Sequence, residues 1–177
     1  MISNMIPIGQ RGALAFLMAI FCGAAGAYAQ GNEPVLLGES GEWAAYTYKA
    51  ADTKVCYASS RPKSSEPKSA KRDPIFFLVT HMPGRSVRGE VSTIVGYPFK
   101  KESSVQLAVD ETKFEMRTDA DGAWAEDAAT DKEIVATMKS GKAMTLQGTS
   151  WRGTVTTDTY SLKGLSAAMA KIDEACK

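Results

Sequence analysis

The chain of 177 residues predicts a mainly β domain with two short helices, closed by one disulfide. Three observations predict this. Apolar and polar residues alternate through paired segments bounded by turn signals. Two segments in the second half switch to helical spacing. Once a leader is set aside, two cysteines remain, near opposite ends of the domain.

The leader comes first in the chain. Arg11 supplies a positive flank, Ala13 to Phe21 form an apolar run, and Ala27-Tyr28-Ala29 places small residues at both cleavage positions. This reads as a signal peptide over residues 1–29, leaving residues 30–177 as a single domain. The apolar run is broken by Gly23 and Gly26 and is shorter than the roughly 20 residues of a membrane-spanning helix. No transmembrane segment is therefore expected after cleavage. Cys22 would leave with the signal, because bulky Phe21 precedes it where a lipid-attachment signal wants a small residue. The leader holds one Arg and no acid, so the 21 basic side chains fall to 20, against 20 acidic ones. That even balance argues against a nucleic-acid binder, which shows a clustered basic excess.

Cys56 and Cys176 are then an even pair in an exported chain, which reads as a disulfide. It would close a loop of about 120 residues, a constraint of about 4–5 kcal/mol on the unfolded chain. Two unpaired buried thiols are the competing reading. Zinc binding is disfavoured, since such sites use closely spaced ligands and the chain has one histidine.

Residues 42–49 and 54–59 predict two strands joined by a turn at 50–53, the second carrying Cys56. Residues 60–73, rich in Ser, Pro and charge, predict a solvated loop or mobile flap. Ile75 to Thr80 is an apolar run expected as a central strand buried on both faces, ended by Pro83-Gly84. Residues 87–97 resume extended structure, with Gly89 and Gly96 marking bulges or close backbone approach. Val105, Leu107 and Val109 pair across the Asp110-Glu111 turn with Phe114 and Met116 as a one-faced hairpin, and a turn at 119–122 precedes Trp124. Residues 142–149 and 153–162 form the last strand pair. Asp131 is read as the cap of a short helix near 131–140, with Ile134, Val135 and Met138 on one face and Gly141 ending it. A C-terminal helix near 164–176 aligns Leu165, Ala168, Met169, Ile172 and Cys176 in one stripe, which would turn Cys176 inward towards the strand of Cys56.

The ordered set Trp43, Cys56-Tyr57-Ala58-Ser59, Val91-Ser92, Gly96-Tyr97-Pro98-Phe99, Ala123-Trp124, Met138-Lys139-Ser140-Gly141, Gly148-Thr149-Ser150, Arg152-Gly153-Thr154, residues 158–164 and Ala175-Cys176 resembles the invasion-associated locus B family of alphaproteobacteria. The similarity spans nearly all of residues 30–177. It implies an exported β-sandwich of immunoglobulin-like shape, named for a member linked to invasion of host cells. It brings a fold and a compartment, but no reaction.

Candidate chemistry is sparse. His81 is the lone ready general base, and at a strand end it is expected to face water. No Gly-x-Ser-x-Gly occurs. The Ser-x-x-Lys matches at 60–63 and 65–68 each contain Pro and sit in a polar loop. The acidic pairs Asp110-Glu111, Glu126-Asp127 and Asp173-Glu174 fall where solvated surface is expected. No catalytic residue, cofactor or metal is therefore assigned, and the chain is read as a non-enzyme. Arg61, Lys63, Lys68, Lys71 and Arg72 give the 60–73 loop a basic surplus suited to an acidic partner or anionic envelope component. Trp43 and Trp124 read as core, and Trp151, between Ser150 and Arg152, as an exposed partner contact. The expected role is interaction with a protein or envelope component, in the periplasm or at the outer membrane or cell exterior, in host-cell contact or envelope integrity; the alternatives are an envelope enzyme of unrecognised type and a structural accessory of an envelope assembly.

Overall fold

The computed structural model describes residues 33–177, Asp52 apart. The leader reading, with Arg11, Cys22 and cleavage after Ala29, lies outside the described residues. The strands are β1 (Val35–Ser40), β2 (Trp43–Ala50), β3 (Thr53–Ser60), β4 (Ser64–Glu66), β5 (Phe76–Met82), β6 (Val87–Ile94), β7 (Ser104–Val109), β8 (Thr112–Asp119), β9 (Gly122–Trp124), β10 (Ala143–Thr149) and β11 (Val155–Ser161). The helices are α1 (Ala128–Ser140) and α2 (Leu165–Ala175).

All strand pairs are antiparallel, in the order β1-β2-β3-β5-β6-β9-β8-β7-β10-β11-β4. The mainly β class and both helices are as the sequence predicts. The immunoglobulin-like sandwich of separate sheets is not the arrangement seen, because one hydrogen-bond ladder links all eleven strands into an open sheet. That sheet rolls over on itself. Phe77 of β5 meets Trp43 of β2 edge-on at 6.3 Å and Tyr160 of β11 at 5.7 Å, although β5 and β11 are far apart in the ladder. Trp43 Nε1 also donates to the Ser161 carbonyl at 2.9 Å. The core lies between these inner faces, where alternate residues such as Ala45, Ala58, Val79, Leu107 and Leu146 are fully buried.

Helix α2 docks on β1, β2 and β3 through the stripe read from its sequence: Leu165, Ala168, Met169, Ile172 and Cys176 are all buried. Cys176 is bonded to Cys56 of β3, with Cα atoms 6.0 Å apart, within the ordinary range for a disulfide. The start of the helix is fixed by Gly164 at φ 97°, where a Cβ would strike the Ser40 carbonyl. Its last turn is held by three further hydrogen bonds, from two cations. Lys54 Nζ donates to the Ala175 carbonyl at 2.6 Å, Arg88 to the Cys176 carbonyl at 3.0 Å, and Asp173 accepts from Arg88 at 3.3 Å. Cations at these positions oppose the negative end of the helix dipole.

Helix α1 packs on β6 and buries Ile134 and Met138. Its cap is Asp127, not Asp131: the Asp127 carboxylate accepts from Thr130 N–H at 2.8 Å. One turn on, Asp131 points into the domain and accepts from Val91 N–H at 2.7 Å. Hydrogen bonds to Thr130 lower the Asp127 pKa, whereas burial raises that of Asp131.

Two expectations for the region around β5 are corrected. Its burial alternates, with Phe77, Val79 and His81 inside and Phe76, Leu78 and Thr80 half-exposed, so only one face is covered. The 60–73 segment is not a free loop: β4 pairs with β11, and Arg72 enters the core. The Arg72 guanidinium makes a two-bond contact with Asp158 at 2.7 and 2.6 Å, donates to the Val95 carbonyl at 2.8 Å, and lies 4.9 Å over Tyr97. Both charged side chains are buried, at 5% and 0% exposure. The sequence marks Arg72 as basic, but only the fold supplies the buried acid that draws it inward.

Removing one partner of this pair leaves a buried charge alone. Asp158→Ala or Arg72→Ala is expected to destabilise the domain by about 3–5 kcal/mol, while replacing both with apolar residues recovers most of the loss, as read from urea unfolding. The two α1 acids differ in sign. The folded value of Asp131 lies above its unfolded value, so its ionisation disfavours the fold and the folded domain holds its proton more tightly as pH falls. Asp127 does the opposite, contributing stability above the ordinary Asp range that is lost as pH falls through its lowered value. Side-chain carboxyl NMR should therefore show Asp131 titrating above 3.8 and Asp127 below it.

Candidate binding groove

The alternation in β2 sends Trp43 and Ala45 inward and Ala44, Tyr46 and Tyr48 outward, and β3 answers with Tyr57 directly opposite Tyr46. The Tyr46 and Tyr57 rings stack with centroids 5.2 Å apart, and Tyr48 meets Tyr57 edge-on at 6.2 Å. Phe76 and Leu78 of β5 and Ile94 of β6 extend this outer face. Together with β1 they line an open groove of about 1000 Å³, at the upper end of ligand clefts.

Polar groups rim the groove. Arg61 lies 4.9 Å over the Phe76 ring, and Lys63 pairs with Glu42 at 3.0 Å. Glu39, Ser59 and Thr80 also face it. Burial, with the neighbouring Tyr46 and Tyr48 adding to it, raises the Tyr57 pKa, so this phenol is neutral at physiological pH and offers a face and a hydroxyl rather than a charge.

The residues marked in the sequence as partner contacts are dispersed by the fold. Arg61 and Lys63 reach the groove, Lys68 and Lys71 are exposed elsewhere on the segment, and Arg72 is committed to Asp158. Trp151 is 59% exposed in the β10–β11 turn, with Arg152 4.8 Å over its ring, and does not line the groove. Trp43 is core, but Trp124 is 36% exposed, because its position in β9 falls on the outer face opposite Ser92. The tyrosine platform escaped the sequence reading. Its signal was present in the strand 43–50, where both parities carry bulky apolar residues although one face of an antiparallel strand usually meets water.

His81 does not face water. It is 1% exposed, since the unbroken alternation of β5 that buries Phe77 and Val79 also seats it on the inner face, opposite Cys56. Gly89 N–H donates to its Nδ1 at 2.9 Å, so the proton sits on Nε2 and is donated to Asp173 at 3.0 Å. It thus helps hold α2 and is no open general base. Asp173, Asp127 and Asp110 likewise have structural partners, Asp110 accepting from Lys142 and Ala143 N–H. Among the described residues no group of three or more His, Cys, Asp or Glu side chains could hold a metal ion. No helix among them is long and apolar enough to cross a membrane.

Fold and site together define a disulfide-closed antiparallel β domain with an outer aromatic face that lines an open groove, and such a bond is at home in an oxidising compartment outside the cytoplasm. The chain belongs to the invasion associated locus B (IalB) protein family, whose profile matches residues 43–173. It is structurally similar to invasion associated protein B from Bartonella henselae, with a TM-score of 0.55 at 18% identity, covering 80% of this chain and 97% of that one. No curated protein sequence matches the chain.

His81→Ala strips partners from a buried N–H and from Asp173 and is expected to cost about 1–3 kcal/mol. Trp151→Ala removes a mostly exposed ring and should stay within about 0.5 kcal/mol of the parent. Parallel urea titrations measure both.

Proposed function

We propose that the chain is an exported, non-enzymatic interaction protein of the periplasm or cell exterior, which holds a partner against the aromatic groove in envelope integrity or host-cell contact. One observation carries this reading: the outer face of β2, β3 and β5 gathers Tyr46, Tyr48, Tyr57, Phe76 and Leu78, and no strand or helix among the described residues covers it. A concave aromatic patch with a polar rim is the common form of a binding surface. The disulfide supports an oxidising compartment. Host contact is supported by family membership and by the name of the similar Bartonella henselae protein. The non-enzymatic reading is supported by His81, the lone histidine, being buried on the opposite face and tied to Asp173.

A photo-crosslinking residue placed at Tyr48 in the source bacterium tests this reading. It should give a discrete adduct in intact cells that the same residue at exposed Lys132 on α1 does not. Equal labelling from both positions, or none from Tyr48, would contradict it.

A further inference from the structure

We propose that the groove's ligand is an acidic glycan chain, laid across the strands with sugar rings on the Tyr46, Tyr57 and Phe76 side chains and a carboxylate on Arg61. This rests on the groove being a binding surface and goes beyond it by naming the ligand class.

Size comes first. The lining comes from β1, β2, β3, β5 and β6, five neighbouring strands, which at a spacing of about 4.8 Å span about 19 Å. A volume of about 1000 Å³ over that length suits a chain of several rings better than a single small metabolite.

Surface chemistry then separates the polymer classes. β2, β3 and β5 are each paired on both sides, so their backbone N–H and C=O groups are consumed by the ladder. A peptide lying on this face would find no main-chain partners for its own amides. A lipid tail wants an unbroken apolar lining, yet Glu39, Glu42, Ser59, Thr80, Arg61 and Lys63 interrupt this one. A sugar ring has an apolar C–H face ringed by hydroxyls, which matches an aromatic floor bordered by hydroxyls and charges.

Charge selects within the class. Lys63 is paired with Glu42, whereas Arg61 is in none of the ion pairs among the described residues. The Arg61 guanidinium lies over Phe76, where its planar fork can take a carboxylate with two parallel hydrogen bonds. Glu39 stands on β1, at the other margin from β5, so it sets the neutral end of the chain opposite the acidic one.

Calorimetric titration of the purified, oxidised protein with a hyaluronan tetrasaccharide, in which uronate and neutral rings alternate so that one end is acidic and the other neutral, and with a neutral chitooligosaccharide of equal length tests the proposal. The acidic oligomer should bind, and the neutral one should bind at least about tenfold more weakly. Arg61→Gln should reduce the acidic affinity to the neutral level. Tyr57→Ala should abolish binding of both, while Tyr57→Phe, which keeps the ring and the packing, should retain it. Absence of binding by either sugar, or binding indifferent to Arg61→Gln and Tyr57→Ala, overturns the glycan assignment. If Tyr48 crosslinks a protein in cells while neither sugar binds, the glycan fails and the groove stands as an interaction surface. If neither result is obtained, both readings fall.

Discussion

The bond between Cys56 and Cys176 is the constraint on which the rest of the structure depends. It joins an early strand to the final turn of α2 across 120 residues, and Lys54, His81 and Arg88 converge on the same turn. Helix α2 is only eleven residues long, too short to persist alone in water. Its stability comes from burying Leu165, Ala168, Met169 and Ile172 on the inner face of β1–β3. The disulfide limits the freedom of the unfolded chain by about 4–5 kcal/mol, and that suffices to make the docking decisive in a domain of ordinary stability. Because α2 and the strands β10 and β11 cover the inner face, the outer face of the same strands is the one that lines the groove.

A second, electrostatic tie sets the margin of that face. The segment between β3 and β5 is fastened at β4 by the ladder to β11 and at Arg72 by the buried Asp158. Such a pair confers position more surely than stability, since taking both charges out of water offsets much of their attraction. Here the position is consequential. With both points fixed, Arg61 is held over Phe76 and Lys63 beside Glu42, and a segment that would otherwise be solvated becomes the rim of the groove.

Much of this was legible in the sequence where a local rule decided the outcome. The stripe 165–176 gave α2 and the inward turn of Cys176 because helical period alone fixes which residues share a face. The hairpin 105–117 followed from alternation and an Asp-Glu turn. Other features depended on partners distant in the chain. Nothing near Arg72 announces Asp158, and nothing near His81 announces Asp173, so both side chains read as exposed. Asp131 reads as a cap because the true cap, Asp127, lies one turn earlier and both are acids before an apolar run. The single rolled sheet was hidden for a similar reason: the order of ladder pairing is a global property, and two packed inner faces look alike in sequence whether or not the ladder between them is continuous. The tyrosine face was missed because aromatic residues in strands are most often core, and only the pairing of β2 with β3 shows them outside.

Peptide mapping of the protein alkylated under denaturing conditions, with and without prior reduction, addresses the central constraint most directly. A fragment in which the Cys56 and Cys176 peptides are joined, with alkylation of these two thiols only after reduction, is the predicted result. Free alkylation of both cysteines in the unreduced protein would contradict the account.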